Sequence, residues 1–190
     1  MLLVPRNHPH LLHPDNTLLV IMDMQEPFLR NIYERDRVLR NISILARSAD
    51  ILRVPIITTT QYGEKMGGVV SELASHIPSL SPKFDKISFS CYADPAFASA
   101  VQRSGRKQIL LCGVESHICI SQTAHELAAS GFQPHVVTDA VSSRTEANWR
   151  LGLDKMRQGG VILASVESAI YELLHEAGSP EFQKILALIK

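Results

Sequence analysis

Continuous apolar runs of strand length are the feature that most limits how this chain can fold. Residues 17–22 read Thr-Leu-Leu-Val-Ile-Met, without alternation of polar and apolar residues. A strand of this kind is apolar on both faces, which is typical of a parallel sheet covered by helices on each side. Further strands are predicted at residues 56–60, 109–112, 135–139 and 161–164, and a short strand is predicted within residues 83–92.

Helical patterns separate these runs. Val38, Ile42, Leu45, Ala49 and Leu52 recur at alternating steps of four and three residues, and therefore share one face of a helix. Because strand and helix alternate, we expect right-handed crossovers and a mostly parallel sheet. The prediction is an α/β fold: a three-layer α-β-α, Rossmann-like, doubly wound sheet of six strands in the order 3-2-1-4-5-6. Further helices are predicted at residues 96–103, from about 119 to 131, and at 145–158, 166–176 and 180–189.

The composition suits one domain with a substantial core. The chain has 190 residues, 45% of them hydrophobic, and we expect residues 1–190 to form a single domain with an N-terminal arm over residues 1–16. Lysine plus arginine and aspartate plus glutamate both number 19, so no overall field favours nucleic acid or an anionic membrane. A small molecule is the expected partner.

Cysteine usage and hydropathy bear on location. The three cysteines cannot all pair, and their spacing fits no CxxC framework. We expect free thiols in a reducing, cytoplasmic setting, with no transmembrane segment. His8, His10 and His13 lie in the arm without a neighbouring carboxylate or cysteine, so a solvated tail is favoured over a metal site.

Cys119 lies at the start of a predicted helix, shortly after a buried strand. The apolar run 109–112 stops at Gly113, and a helical pattern resumes within a few residues. Unpaired N–H groups in the first turn of a helix favour a thiolate and could also hold an oxyanion. The alternative is a buried cysteine that packs as a small hydrophobe.

Asp23 directly follows the first strand, and Cys119 follows the fourth. With the predicted strand order, these positions are neighbours at the switch point, where ligands bind beyond the carboxyl ends of the strands. A carboxylate there could take the thiol proton and return it to a leaving amine, while a lysine such as Lys86 offsets the negative charge. Asp23 could instead cap a helix or form a turn.

Several aromatic and polar residues near strand ends are candidates for lining the pocket, although any one of them could belong to the core. They are Phe28, Gln61, Tyr62, Phe89 and Tyr92. Residues 61–68 have the glycine content of a mobile loop over a site, without a phosphate-binding glycine pattern.

For several other residues that could take part in catalysis, a non-catalytic role is preferred. His117 is a candidate for lining the pocket rather than for the general base, and His125 is expected to be structural. Asp139 also follows a strand, and a hydrogen-bonded turn or cap is the preferred role for it. Cys91 and Cys112 are expected to be packing residues.

Four local patterns resemble the isochorismatase-like cysteine hydrolases, a family that includes nicotinamidases and N-carbamoylsarcosine amidases. They are Leu-Val-Ile-Met-Asp-Met-Gln at 19–25, Lys-Ile-Ser-Phe-Ser-Cys-Tyr at 86–92, Cys-Gly-Val-Glu-Ser-His-Ile-Cys at 112–119 and Thr-Asp-Ala-Val-Ser-Ser-Arg at 138–144. The third pattern is the most specific, and the resemblance runs from about Thr17 to about Glu172. Within the family, the sequence looks most like isochorismatase-domain proteins of uncertain substrate.

The resemblance implies that Asp23, Lys86 and Cys119 form a catalytic triad. It also implies a cis peptide bond between Val114 and Glu115, which would aim the Glu115 N–H, together with that of Cys119, at the oxyanion. The implied activity is hydrolysis of a small amide-like substrate at a C–N bond through a thioester intermediate, and homo-oligomers are implied as well.

The sequence departs from two family patterns. Nicotinamidases resemble one another in an Asp-x-His and a further histidine that hold a metal, whereas residues 58–68 here contain no histidine, so we expect no metal and no cofactor. Some isochorismatases that cleave a vinyl ether lack the cysteine, which favours attack on an acyl carbon for a chain with Cys119. The alternatives are vinyl-ether hydrolysis and a non-catalytic binding or scaffold role. Lys83 does not fit the family position of the triad lysine.

Overall fold

The computed structural model describes residue 8 and residues 10–190. Within this part of the chain, six strands form one sheet: β1 (Thr17–Met22), β2 (Ile56–Gln61), β3 (Lys83–Lys86), β4 (Gln108–Val114), β5 (Gln133–Ser142) and β6 (Ile162–Ala164). Their spatial order is β3-β2-β1-β4-β5-β6, and every neighbouring pair is parallel. The predicted α/β class, strand number and strand order are confirmed.

Helices cover both faces of the sheet. They are α1 (Glu26–Leu29), α2 (Arg35–Ile51), α3 (Gly63–Met66), α4 (Ser71–Ala74), α5 (Pro95–Arg103), α6 (Ser121–Ala129), α7 (Glu146–Gln158), α8 (Val166–Leu174) and α9 (Pro180–Ile189). A 3-10 turn, Pro14–Asn16, precedes β1, and a π-helical turn, Ser116–Ile120, leads directly into α6. None of the helices in the described part of the chain is both long and apolar enough to cross a membrane.

The core consists of two apolar clusters, one on each face of the sheet. Leu19 and Ile21 belong to a cluster that includes residues of α2, α8 and α9, whereas Leu18 and Val20 belong to one that includes residues of α5, α6 and α7. This division follows from the alternation of side chains along a strand. All six residues of β1 are buried, as a strand covered on both faces requires.

Some short segments differ from the sequence-based predictions. Residues 61–68 are predicted to be a loop, but they contain the end of β2 and the single turn α3. The turns α1 and α4 are not predicted, because four residues are too few to display a helical period. The strand predicted within residues 83–92 ends at Lys86, and the remainder of that segment is irregular.

The end of the N-terminal arm is packed against the domain. Leu12 is fully buried, and its N–H donates to the Glu172 carboxylate at 3.0 Å. The N–H of His13 donates to the side-chain oxygen of Gln108 at 2.9 Å. A solvated tail is therefore wrong from Leu12 onwards, while residues 1–7 and 9 lie outside the described part of the chain.

Helix α7 packs closely against the π-helical turn. A Cβ placed on Gly152 would lie 2.8 Å from the backbone nitrogen of His117 and 2.8 Å from the carbonyl carbon of Ser116. These are backbone atoms, so they cannot move aside as the end of a flexible side chain could. The missing side chain of Gly152 therefore allows α7 to support the turn that precedes α6.

We expect Gly152→Ala to destabilise the protein by about 1–3 kcal/mol, because the added methyl group overpacks this contact. Helix propensity alone predicts the opposite, a gain of about 1 kcal/mol. Urea unfolding distinguishes the two outcomes, and a stabilised variant would contradict the packing argument. Leu151→Ala is the control: Leu151 is in the same helix but 62% exposed, and we expect a change within about 0.5 kcal/mol.

Candidate active site

The carboxyl ends of β1 and β4 form the centre of the site. Met22 pairs with Gly113, whose φ is +114°, and a Cβ on Gly113 would lie 2.1 Å from the carbonyl oxygen of Met22. Only glycine permits this backbone conformation and this approach of the two strands. Asp23 and the segment 114–119 consequently lie on the two sides of the switch point, in agreement with the strand order.

Asp23 is a buried carboxylate that accepts hydrogen bonds from two side chains. It is 1% exposed, and its φ of +55° turns the chain sharply after β1. The Thr59 hydroxyl donates to Oδ1 at 2.7 Å, and the Lys86 ammonium donates to Oδ2 at 2.8 Å. Both carboxylate oxygens are thus oriented by neighbouring strands, β2 and β3.

Lys86 is held from a second side by an amide network. Its Nζ donates to Gln61 Oε1 at 2.6 Å, while Gln61 Nε2 donates to the carbonyl oxygen of Ile87 at 2.6 Å. The backbone N–H of Gln61 donates in turn to Gln25 Oε1 at 2.7 Å. Burial would lower the pKa of Lys86, but the negative charge of Asp23 opposes it, and the pKa lies above its ordinary value. Lys86 is therefore a fixed cation.

Cys119 faces this ion pair from the π-helical turn. Its thiol lies close enough to the Asp23 carboxylate and to the Glu115 backbone for both to act on its pKa. Burial, and after it the charge of Asp23, raise the pKa of the Cys119 thiol to about 12, while Lys86 opposes both. The helix-start argument, which favours a thiolate, is outweighed here because burial and Asp23 favour the thiol. The resting site therefore holds a protonated cysteine beside a carboxylate that can accept its proton.

Glu115 joins the site to the segment after β5. The peptide bond between Val114 and Glu115 is cis. The Glu115 carboxylate accepts from Arg144 Nη2 at 2.6 Å and from the Arg144 backbone N–H at 2.9 Å. Burial alone would raise the pKa of Glu115, but the bonds from Arg144 outweigh it and lower the pKa. The ion pair between Glu115 and Arg144 thus fixes the backbone that precedes Cys119.

A cavity of about 90 Å³ opens at these groups. Its walls are formed by Asp23, Phe28, Gln61, Phe89, Val114, Glu115, Ile118, Cys119 and Arg144. Pockets for drug-sized ligands have volumes of about 300–1,000 Å³, so this cavity suits a compact ligand with few heavy atoms.

The predicted pocket residues divide into two groups. Phe28, Gln61 and Phe89 line the cavity, whereas Tyr62, Tyr92 and His117 are absent from its walls. The side chains of this second group have other partners. The Tyr62 ring lies 4.5 Å from Lys65 Nζ, the Tyr92 hydroxyl accepts from Gln102 Nε2 at 3.3 Å, and His117 Nδ1 lies 2.9 Å from the Ser143 hydroxyl.

The structural roles preferred for other residues agree with their contacts. Asp139 Oδ1 accepts from the Val166 N–H at 2.9 Å and thereby caps α8. His125 Nδ1 lies 2.6 Å from the Ser121 carbonyl oxygen within α6. Cys91 and Cys112 are fully buried among apolar residues.

Four residues at the site are not predicted from the sequence. Thr59 orients Asp23, fully buried Gln25 holds Gln61, and Ile118 and Arg144 line the cavity. Gln25, Ile118 and Arg144 lie within the motifs quoted above. The sequence therefore places them near the site, but it does not show which groups their side chains contact. Thr59 has no local signal, because any strand residue can be a threonine. Among the described residues there is no group of three histidine, cysteine, aspartate or glutamate side chains that could hold a metal ion.

Comparison with known proteins identifies the family. A model of the isochorismatase domain matches residues 17–168, which is most of the chain. This chain belongs to the isochorismatase family. The site described above lies within the matched residues.

Relatives within the isochorismatase family align over nearly the whole chain. The secreted isochorismatase effector Isc1 of Phytophthora sojae is 38% identical over 180 residues, covering 93% of this chain and 86% of the effector. Human isochorismatase domain-containing protein 2 is 35% identical over 178 residues, covering 93% and 84%.

Solved structures of the family superimpose well on this fold. MAR1 ribonuclease of Caenorhabditis elegans has a TM-score of 0.88 at 32% identity, covering 94% of this chain and 91% of that one. YcaC of Escherichia coli, an octameric hydrolase of unknown specificity, has a TM-score of 0.84 at 24% identity, covering 94% and 87%. The latter similarity concerns the fold alone.

The charges around Cys119 predict opposite effects of two substitutions on its alkylation by iodoacetamide. Asp23→Asn removes the negative charge that disfavours the thiolate, so the apparent pKa for alkylation should fall. Lys86→Met removes the compensating cation, so the apparent pKa should rise. Alkylation rates measured against pH, with the labelled peptide identified by mass spectrometry, provide both values.

Asp85→Asn is the matched control for this experiment. Asp85 precedes Lys86 in β3, and its side chain lies on the other face of the sheet. We expect the pH profile of Cys119 to be unchanged in this variant. An apparent pKa that does not fall in Asp23→Asn would mean that Asp23 does not control the thiol.

Proposed function

We propose that this chain is a metal-independent cysteine hydrolase that cleaves the C–N bond of a small amide-like substrate through a thioester. The proposal rests on one observation: Cys119 and the buried Asp23 line the wall of one cavity, and the Asp23 carboxylate accepts a hydrogen bond from the Lys86 ammonium at 2.8 Å. A nucleophile, a proton acceptor and a fixed cation are the groups that acyl transfer from an amide requires.

In the proposed reaction, Asp23 first takes the proton of Cys119. The thiolate attacks the carbonyl carbon, and the N–H groups of Glu115 and Cys119 donate to the resulting oxyanion. Asp23 then gives its proton to the departing amine, leaving an acyl group on sulfur. Water, deprotonated by Asp23, attacks the thioester, and release of the acid restores the thiol.

Lys86 stabilises the negative charge throughout the proposed reaction. When Asp23 is protonated and Cys119 is ionised, the negative charge has moved from one neighbour of Lys86 to the other. The cation therefore stabilises both states, and the proton transfer separates no new charge in the buried site. This accounts for a reactive cysteine whose resting pKa is high.

The cavity walls support a compact substrate with a polar edge. Phe28, Phe89 and Ile118 supply apolar walls, while Arg144 is the only arginine or lysine among the described lining residues. A phosphodiester backbone needs several cations along a groove. Although the C. elegans relative is named a ribonuclease, we therefore propose a small molecule rather than RNA as the substrate.

We further propose that the domain acts in the cytoplasm as a homo-oligomer. All three cysteines are free in the structure, which suits a reducing compartment. Exposed apolar side chains such as Leu80 and Ile87 are available for association. The E. coli neighbour is octameric and the P. sojae relative is secreted. The oligomeric state and the cellular location of this chain are therefore the two points to test.

The test is a substrate panel of small primary amides, ureides, isochorismate and an RNA oligonucleotide, with and without EDTA. We expect turnover of an amide or ureide that EDTA does not reduce. Cys119→Ala should lower this turnover at least about 10³-fold, because the nucleophile is lost. Asp23→Asn should lower it about 10²–10⁴-fold.

Cys112→Ala is the matched cysteine control, because Cys112 is buried in β4 and contacts none of the reacting groups, so turnover should persist. Cleavage of isochorismate that survives Cys119→Ala but not Asp23→Asn would instead identify a vinyl-ether hydrolase. Turnover of no compound, with tight binding of one, would identify a binding protein.

A further inference from the structure

A second cavity lies behind the strands that carry Lys86 and Gln61. It has a volume of about 580 Å³, and its walls come from β2, β3 and residues 68–79. In the parallel register, Thr58 pairs with Lys83 and Thr60 pairs with Asp85, whereas Gln61 pairs with Lys86. Because side chains alternate along each strand, Thr58, Lys83 and Asp85 point to the face opposite Lys86.

The sheet side of this cavity carries groups with unused bonding capacity. Thr58 is 1% exposed, and among the described residues nothing hydrogen-bonds to its hydroxyl. The Lys83 ammonium likewise makes no ion pair with any described residue. The Thr58 residue lines the cavity, so a bound polar ligand would supply its hydroxyl with a partner.

Asp85 provides the opposite charge on the same wall. Its Oδ1 accepts from the Thr60 hydroxyl at 2.8 Å and from the Gly63 N–H at 2.7 Å, and no described group bonds to Oδ2. Lys83 and Asp85 are two residues apart on one strand, so their Cα atoms are separated by roughly 6.6 Å. Thr58 is one strand away from Lys83, at a spacing of about 4.8 Å, so its hydroxyl and the ammonium can converge on one carboxylate.

The other side of the cavity is largely apolar. Val69, Ala74 and Ile77 line it, and Val69 and Ile77 pack against the core cluster below. Lys83 and Asp85 are both exposed, and a ligand with a single charge would pair with only one of them. A zwitterion with an apolar side chain satisfies both charges and the apolar wall.

We propose that this cavity binds a small zwitterion with an apolar side chain, of the type of an apolar α-amino acid. The ligand carboxylate contacts Lys83 and Thr58, its ammonium contacts Asp85, and its side chain lies against Val69 and Ile77. The site is separate from the catalytic cavity, so its occupancy does not depend on Cys119.

Calorimetric titration of the full chain with three matched probes tests this site. L-Leucine carries both charges, 4-methylpentanoate lacks the ammonium, and 3-methylbutylamine lacks the carboxylate. We expect L-leucine to bind, and each singly charged analogue to bind at least about tenfold more weakly. Equal affinity for 4-methylpentanoate, or no saturation by L-leucine below about 10 mM, would overturn the proposal.

Variants locate the binding. Lys83→Met should weaken L-leucine binding at least about tenfold, as should Asp85→Asn, which keeps the Oδ1 acceptor for Thr60 and Gly63. Lys107→Met, a lysine in another part of the fold, and Cys119→Ala should bind L-leucine as the unmodified chain does. Unchanged binding in Lys83→Met, or loss of binding in Cys119→Ala, would overturn the assignment, and thermal melting verifies that each variant is folded.

Discussion

The buried ion pair between Lys86 and Asp23 is the interaction on which the rest of the site depends. Removing two such charges from water costs several kcal/mol per ion, on the order of what their mutual attraction returns. Thr59 and Gln61 make the arrangement tolerable by hydrogen-bonding to the outer sides of the pair. Because Thr59 and Gln61 lie on β2 and Lys86 lies on β3, these two strands at the edge of the sheet hold the ion pair in place.

The topology of the sheet explains why Cys119 lies next to the ion pair of Lys86 and Asp23. The strand order reverses between β1 and β4, so the segments after them diverge and leave a crevice. Gly113 lets the two strands approach, and Gly152 lets α7 press against the turn that carries Cys119. Cys119, the proposed nucleophile, is therefore positioned by backbone packing, while the charge of Asp23 raises the pKa of its thiol. The position of Cys119 and the pKa of its thiol are therefore controlled by different residues, the two glycines and Asp23 respectively.

The main outline of the fold was accessible from the sequence because it follows from hydrophobic patterns. Continuous apolar runs predict doubly covered strands, and the strand order then makes Asp23 and Cys119 neighbours. Lys86 was a candidate from its place beside a strand end, and the family resemblance distinguished it from Lys83, since a lysine at a strand end has no periodic signal. The positions of Tyr62, Tyr92 and His117 were not predictable, because they depend on local turns such as the positive φ of Tyr62. The high pKa of Cys119 depends on burial that only the assembled site reveals.

The central claim is that Cys119 carries the acyl group during turnover. Rapid acid quenching of the enzyme with a saturating amide substrate, followed by peptide mass spectrometry, measures this directly. The account predicts a mass increase equal to the acyl fragment on the peptide that contains Cys119, formed within the first turnover and lost when substrate is exhausted. Steady turnover with no acyl mass on Cys119, and equal turnover by Cys119→Ala, would contradict it.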